Sequence, residues 1–168
     1  MGRRSERYTV EECLCLGMND LKGVGLLKEE PGSFRIIQWT DFAGKEAGKI
    51  GCSLGGFKSL YLSLRLSYTV TNSVDETRDV DYRIALDTTP CNFGGQRYWF
   101  ICPLTVNGRD CGRRVGKIYL PPNGIYFGCR HCYNLTYRSC KEHNSRVSRL
   151  MKLSPEELER LFGSKALA

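Results

Sequence analysis

Four cysteines constrain this chain more than anything else in it: Cys102 and Cys111, then Cys129 and Cys132. The second pair has the two-residue gap that lets both sulfurs reach one ion, and Gly128 before it suits the tight backbone of a metal knuckle. The first pair has eight intervening residues, and Asn107-Gly108 within them is a turn signal that folds the insertion outward. Between the pairs, residues 113–120 and 125–127 read as two short strands joined at Pro121-Pro122-Asn123-Gly124. A hairpin with thiols at its base is the plan of a zinc ribbon, so the expected cofactor is one structural Zn2+ held by Cys102, Cys111, Cys129 and Cys132. The competing reading is four buried thiols packing as small apolar groups. His131 reads as a surface side chain, while Cys140, Cys91 and His131 stand as substitutes should one proposed ligand not bind.

The runs F-G-G-Q-R-Y-W-F-I-C-P, C-G-R-R-V, Y-L-P-P and F-G-C-R-H-C-Y-N-L-T-Y-R-S, spread over residues 89–139, resemble an uncharacterised family of small zinc-ribbon-like proteins from bacterial phages and other mobile elements. Members of that family carry a compact C-x-x-C where this chain has the long interval from Cys102 to Cys111. The resemblance implies a fold and a mobile-element setting; it implies no activity.

With 168 residues the chain is long enough for a real apolar core, and its nine cysteines form an odd count, unlike a secreted disulfide scaffold. No apolar run approaches the roughly 18 residues that would cross a bilayer. Met1-Gly2-Arg3-Arg4 opens neither a signal peptide nor a myristoylation motif, so the expected location is the cytoplasm, with reduced thiols and no membrane partner.

The formal charge of +7 is unevenly placed: residues 97–152 carry eleven Lys or Arg against Asp110 and Glu142, whereas residues 1–96 and 153–168 each come to −1. A metal region holding all the excess positive charge is the footprint of a surface that meets phosphate. The candidate contacts are Arg113, Arg114, Lys117, Arg130, Arg138, Arg146 and Arg149, with Tyr119, Tyr126 or Tyr133 available to stack on bases.

Elsewhere the pattern predicts an α+β, mostly β fold. Thr9 and Glu12 form a capping-box signature, and Val10, Leu14, Met18 and Leu21 then fall on one helical stripe ending at Gly23 and Gly25. Cys13, beside that stripe, and Cys15 read as core thiols. Residues 33–40 and 49–54 read as strands. Leu60, Leu62, Leu64, Leu66, Tyr68 and Val70 alternate with polar neighbours, as do Val80, Tyr82, Ile84 and Leu86, which predicts an antiparallel sheet with one buried face. The run Thr89-Pro90-Cys91-Asn92-Phe93-Gly94-Gly95 reads as a hinge or bulge, followed by a strand over 96–101. Residues 134–152 read as a helix in one or two pieces, and Ser154, Pro155 and Glu157 open a last one. The expected organisation is a helix-plus-sheet unit over 1–92, a zinc-ribbon unit over 93–140 and a C-terminal helical segment over 141–168.

No catalytic constellation emerges, and a zinc bound by four cysteines keeps no open position for substrate. The sequence therefore points to a non-enzymatic nucleic-acid-binding accessory protein, most simply on DNA. The alternative is an adaptor or inhibitor that occupies a host protein, and oligomeric state is left open.

Overall fold

A computed structural model describes residues 7–28, 32–40, 44, 46–55, 62–71, 76–142 and 153–154. Two compact units divide between Thr136 and Tyr137. The first is built on an antiparallel meander: β2 (Phe34–Thr40), β3 (Glu46–Gly55), β4 (Ser63–Thr71), β5 (Thr77–Pro90), β6 (Gln96–Ile101) and β9 (Arg114–Val115) lie side by side in that order. The fold is α+β and mostly β, as the alternating patterns predict. Leu64 and Leu66 on β4 and Val80, Ile84 and Leu86 on β5 are buried on one face, and Ile50, Cys52 and Leu54 of β3 join them.

That buried face does not end at the sheet. Phe100, Ile118, Leu120 and Phe127, all close in sequence to the cysteines, belong to the same apolar cluster as Leu64 and Ile84. The expected boundary between residues 92 and 93 falls in the turn between β5 and β6, two strands paired from Leu86↔Phe100 to Pro90↔Gln96.

The N-terminal stretch differs from the expected helix. Only a 3₁₀ turn forms at Val10–Glu12; strand β1 (Leu14–Gly17) follows, and then the short helix α1 (Met18–Gly23). The reason is a distant partner. In β10 (Lys117–Leu120), Ile118, Tyr119 and Leu120 are all buried, so their backbone groups need hydrogen bonds that water cannot supply. β1 meets part of that need, pairing from Leu14↔Leu120 to Gly17↔Lys117. Tertiary pairing outweighs a local helical stripe. Of the capping box, the Glu12 half is present: the Thr9 amide donates to the Glu12 carboxylate at 2.6 Å.

Tyrosines on the sheet clamp the layer above it. Tyr68 donates its hydroxyl to the Ile125 carbonyl at 2.6 Å, and the Phe127 amide donates to the Tyr82 hydroxyl at 2.8 Å. Phe127 packs edge-on against Tyr68 at 5.5 Å between ring centres and stacks with Trp39 at 6.3 Å. Segment 125–127 is therefore a tethered loop, and the expected strand there reduces to one bridge, Tyr119↔Gly128.

Helix α2 (Arg138–Glu142) opens the second unit. The expected helix over 134–152 begins only there, because Asn134 has a left-handed backbone, φ 49°, and Thr136 bridges Thr9. Leu60, residues 143–152 and the last expected helix from Pro155 lie outside the described residues. No described helix is long and apolar enough to cross a membrane.

Candidate metal centre

Each cysteine reaches the centre for a local reason. β6 runs straight into Cys102, whose amide donates to the Arg113 carbonyl at 2.9 Å, extending the pairing of Ile101 with Arg114. The eight intervening residues fold outward as a hairpin of β7 (Thr105–Val106) and β8 (Arg109–Asp110), turning at Asn107 and Gly108 with φ 52° and 75°. Its base closes through the Cys111 amide to the Leu104 carbonyl at 2.9 Å. A long sequence gap thus becomes a short spatial one.

The second pair hangs on Gly128, which bridges Tyr119 through amide–carbonyl bonds of 2.8 and 3.0 Å. A β-carbon on Gly128 would lie 2.1 Å from Leu104 Cδ1 and 2.7 Å from its Cγ, so any larger residue here would have to displace the Leu104 side chain. The turn that follows puts the Cys132 amide 3.4 Å from Cys129 Sγ, while the Cys129 amide donates to Cys102 Sγ at 3.3 Å.

The four sulfurs all lie within 4.8 Å of one another. Cys102 and Cys132 are 3.8 Å apart, Cys111 and Cys129 3.8 Å, and Cys129 and Cys132 3.5 Å. A disulfide would bring two sulfurs to about 2.05 Å. A metal–sulfur bond of about 2.3 Å in a tetrahedron sets edges of about 3.8 Å. The spacing fits four ligands of one ion, and this group of cysteines can hold a metal.

Crowding sets the thiols' acidity. Burial pushes Cys102 up, and burial together with the neighbouring thiols pushes Cys132 up. For Cys111, half-buried, burial is the largest single influence and pushes it up, but the Arg113 amide and the three neighbouring thiols together outweigh it and lower the thiol to about 7. The Arg113 guanidinium donates to Cys111 Sγ at 4.0 Å, and hydrogen bonding to Cys129 with the charge of Cys111 raises its own pKa.

The other candidate residues are dispersed. Cys91 is exposed in the β5–β6 turn, His131 is exposed between the paired ligands, and Cys140 is exposed on α2 in the second unit. Cys13 donates its thiol to the Thr9 carbonyl at 3.2 Å. Of the cations, Arg113 faces the sulfurs, Arg114 pairs with Asp87 at 3.3 Å, Lys117 is exposed on β10 and Arg130 is half-buried after Cys129. Arg138 is exposed on α2; Arg146 and Arg149 lie outside the described residues. Of the tyrosines expected to stack on bases, Tyr119 is buried, Tyr133 is half-buried and donates its hydroxyl to the Tyr126 carbonyl, and Tyr126 is exposed with its ring at 5.2 Å and nearly perpendicular to that of Tyr82.

Compared with protein-family models, curated proteins and solved structures, the chain finds no match.

Proposed function

We propose that the four cysteines hold one structural zinc ion and that the basic region built on it binds nucleic acid, most simply DNA. The carrying observation is the sulfur spacing of 3.5 to 3.8 Å at the end of a sheet, within the stretch that concentrates the chain's positive charge. Four thiolates leave zinc no open position, so the ion's part is to fix the backbone of residues 102–132 and not to perform chemistry. Arg113, set against the sulfurs, offsets part of the negative charge that four thiolates and one Zn2+ leave behind. Lys117, exposed on β10, is available for phosphate. The phage or mobile-element setting rests on the resemblance over residues 89–139.

Two measurements test this reading. Metal analysis of protein purified without chelator is expected to return one zinc per chain; iron would keep the centre but change its ion, and no metal would remove the site. Titration with random duplex and single-stranded oligonucleotides is expected to give micromolar or tighter affinity at about 50 mM salt, falling linearly in log affinity against log salt. Absence of binding at millimolar concentration would hand the basic surface to a protein partner, the host-directed adaptor or inhibitor.

A further inference from the structure

The turn joining β5 to β6 carries an aromatic ring with nothing packed on it. Phe93 is 104% exposed, the most of any large apolar side chain among the described residues. The turn itself is well defined. The Cys91 amide donates to the Gly95 carbonyl at 3.1 Å and the Gly94 amide to the Cys91 carbonyl at 3.0 Å, with Gly94 and Gly95 at φ 87° and 82°. A hydrogen-bonded turn therefore holds the ring out in water, where an apolar surface is disfavoured.

Its surroundings have a distinct chemistry. Just past the turn, Arg97 stands over the Trp99 indole with Cζ 4.1 Å from the ring centre, and Trp99 is itself fixed by donating Nε1–H to Thr89 Oγ1 at 3.0 Å. Arg97 is exposed, so its guanidinium has one side on the indole and one side toward solvent. Asn92 and Gln96 are exposed beside them and bring both amide donors and acceptors. No Asp or Glu occurs from residue 88 to residue 109.

We infer that Phe93 and Arg97 form a stacking ledge for the unpaired bases of single-stranded nucleic acid. Bases present flat faces that stack on an aromatic ring or on a guanidinium plane, and their edges take hydrogen bonds from amides. No carboxylate lies in the turn itself, and Asp87, opposite Trp99 at the far end of the paired stretch, is engaged by Arg114 at 3.3 Å, which leaves the turn open to a phosphate backbone. A base paired inside a duplex offers no free face, which makes the unpaired strand the ligand. Insertion into a lipid surface draws on several apolar side chains over a broad face, and this turn has one. The inference rests on the nucleic-acid reading above and narrows it to a strand form and a place.

The test uses the full zinc-loaded chain, because Phe93 makes no packing contact whose loss would disturb folding. Fluorescence anisotropy is read with labelled oligo(dT) of about 15 nucleotides, near the upper site size of one single-strand-binding fold, and with a duplex of the same length. Phe93→Ala is expected to weaken oligo(dT) binding about tenfold while the slope of log affinity against log salt stays unchanged, since no charge is removed. Phe93→Trp is expected to restore the affinity, and Arg97→Ala to weaken oligo(dT) binding several-fold, since it removes the second stacking plane. Wild-type binding to oligo(dT) that Phe93→Ala leaves intact overturns the ledge while sparing nucleic-acid binding. Preference for the duplex overturns it too, as does a Phe93→Ala defect seen only on phosphatidylglycerol vesicles or in capture of a protein. Failure of the wild type to bind either oligonucleotide overturns both this inference and the reading beneath it.

Discussion

The sheet and the cysteine end of this molecule are held by different physics. Between β3 and β5 the chain buries Leu64, Leu66, Ile84 and Cys52 to complete exclusion from solvent, and each strand has a partner on both sides. From residue 102 to 115 the strands are two residues long, residues 105–110 are all exposed, and Cys102 is the one fully buried side chain. Apolar burial of about 25 cal/mol per Å2 suffices for the first region and has little to act on in the second. There a metal held by the four cysteines would be worth more than any contact the side chains offer. The two regions nevertheless share Phe100, Ile118 and Phe127 in one core. The difference is in what closes each region, while the packing between them is continuous.

Metal removal should separate them most. Binding free energy at a structural zinc is folding free energy, about 10–16 kcal/mol in small fingers, so chelation or Cys129→Ser is expected to loosen residues 102–132 while β3, β4 and β5 keep their amide protection. Thiol alkylation reads the same event. Exposed Cys91 and Cys140 should react first, the four clustered cysteines only after chelation, and Cys52, buried and pushed up to about 12 by desolvation, only on global unfolding. If Cys52 became reactive on chelation alone, the sheet would depend on the metal and the contrast would be lost.

Phe100→Ala attacks the shared core from the other side. The ring is fully buried on β6, directly before the first ligand segment. Truncating such a residue costs about 3–5 kcal/mol. Denaturant unfolding is expected to show that loss in the sheet, and the metal should then be surrendered to a weaker chelator than in the wild type. A variant with lowered stability but unchanged metal affinity would mean that the two regions are independent despite their contacts.

Gly128→Ala should act more narrowly. The added methyl meets Leu104 and lies 3.0 Å from Tyr133, and overpacking of this kind costs about 1–3 kcal/mol. Faster metal loss with nearly unchanged sheet protection is the expected signature. Equal losses in both would show that strain at the metal end travels into the sheet.

The sequence made the sheet legible because alternation has a period of two and a buried face has no other way to be written: Leu64, Leu66, Val80, Ile84 and Leu86 all went inside. The four metal-competent cysteines were legible from spacing, including the distant pair, because Asn107-Gly108 announces a turn that brings its flanks together. Gly128 was expected to serve a tight backbone, but its φ is not left-handed; what presses on it is the Leu104 side chain, a neighbour that a one-dimensional reading does not contain. The segment from Thr9 to Leu21 went wrong because the partner that makes Leu14–Gly17 a strand lies a hundred residues away in β10. The tyrosines differ among themselves: Tyr126 is exposed as expected, whereas Tyr119 is buried in β10 and Tyr133 is half-buried with its hydroxyl on a backbone carbonyl, contacts that spacing alone does not announce. Phe93 passed as part of a hinge because glycines announce a turn and say nothing of what the turn displays.

The smallest effect should come from the contact that looks strongest on the sheet's outer face. Arg65 and Asp81 are diagonal neighbours across β4 and β5, Arg65 facing Arg83 and Asp81 facing Ser67, yet the guanidinium grips the carboxylate with Nε–Oδ1 at 2.8 Å and a terminal nitrogen–Oδ2 at 2.5 Å. Both side chains are about half exposed, 55% and 47%, where water and salt screen the pair. The hydrogen bond from Arg65, with its charge, holds the Asp81 carboxyl below its ordinary value. A depressed carboxylate contributes stability that is present above its unfolded pKa and is lost as pH falls through the folded one, so any contribution disappears only below about pH 4. At neutral pH Arg65→Gln is expected to leave the unfolding midpoint within error of the wild type, and at pH 3 the two should remain together. A drop at neutral pH comparable to that of Phe100→Ala would mean that an ionic ladder, and not the hydrocarbon beneath it, closes the sheet; the contrast between an apolar region and a metal-held one would then have to be redrawn as one between two kinds of polar fastening.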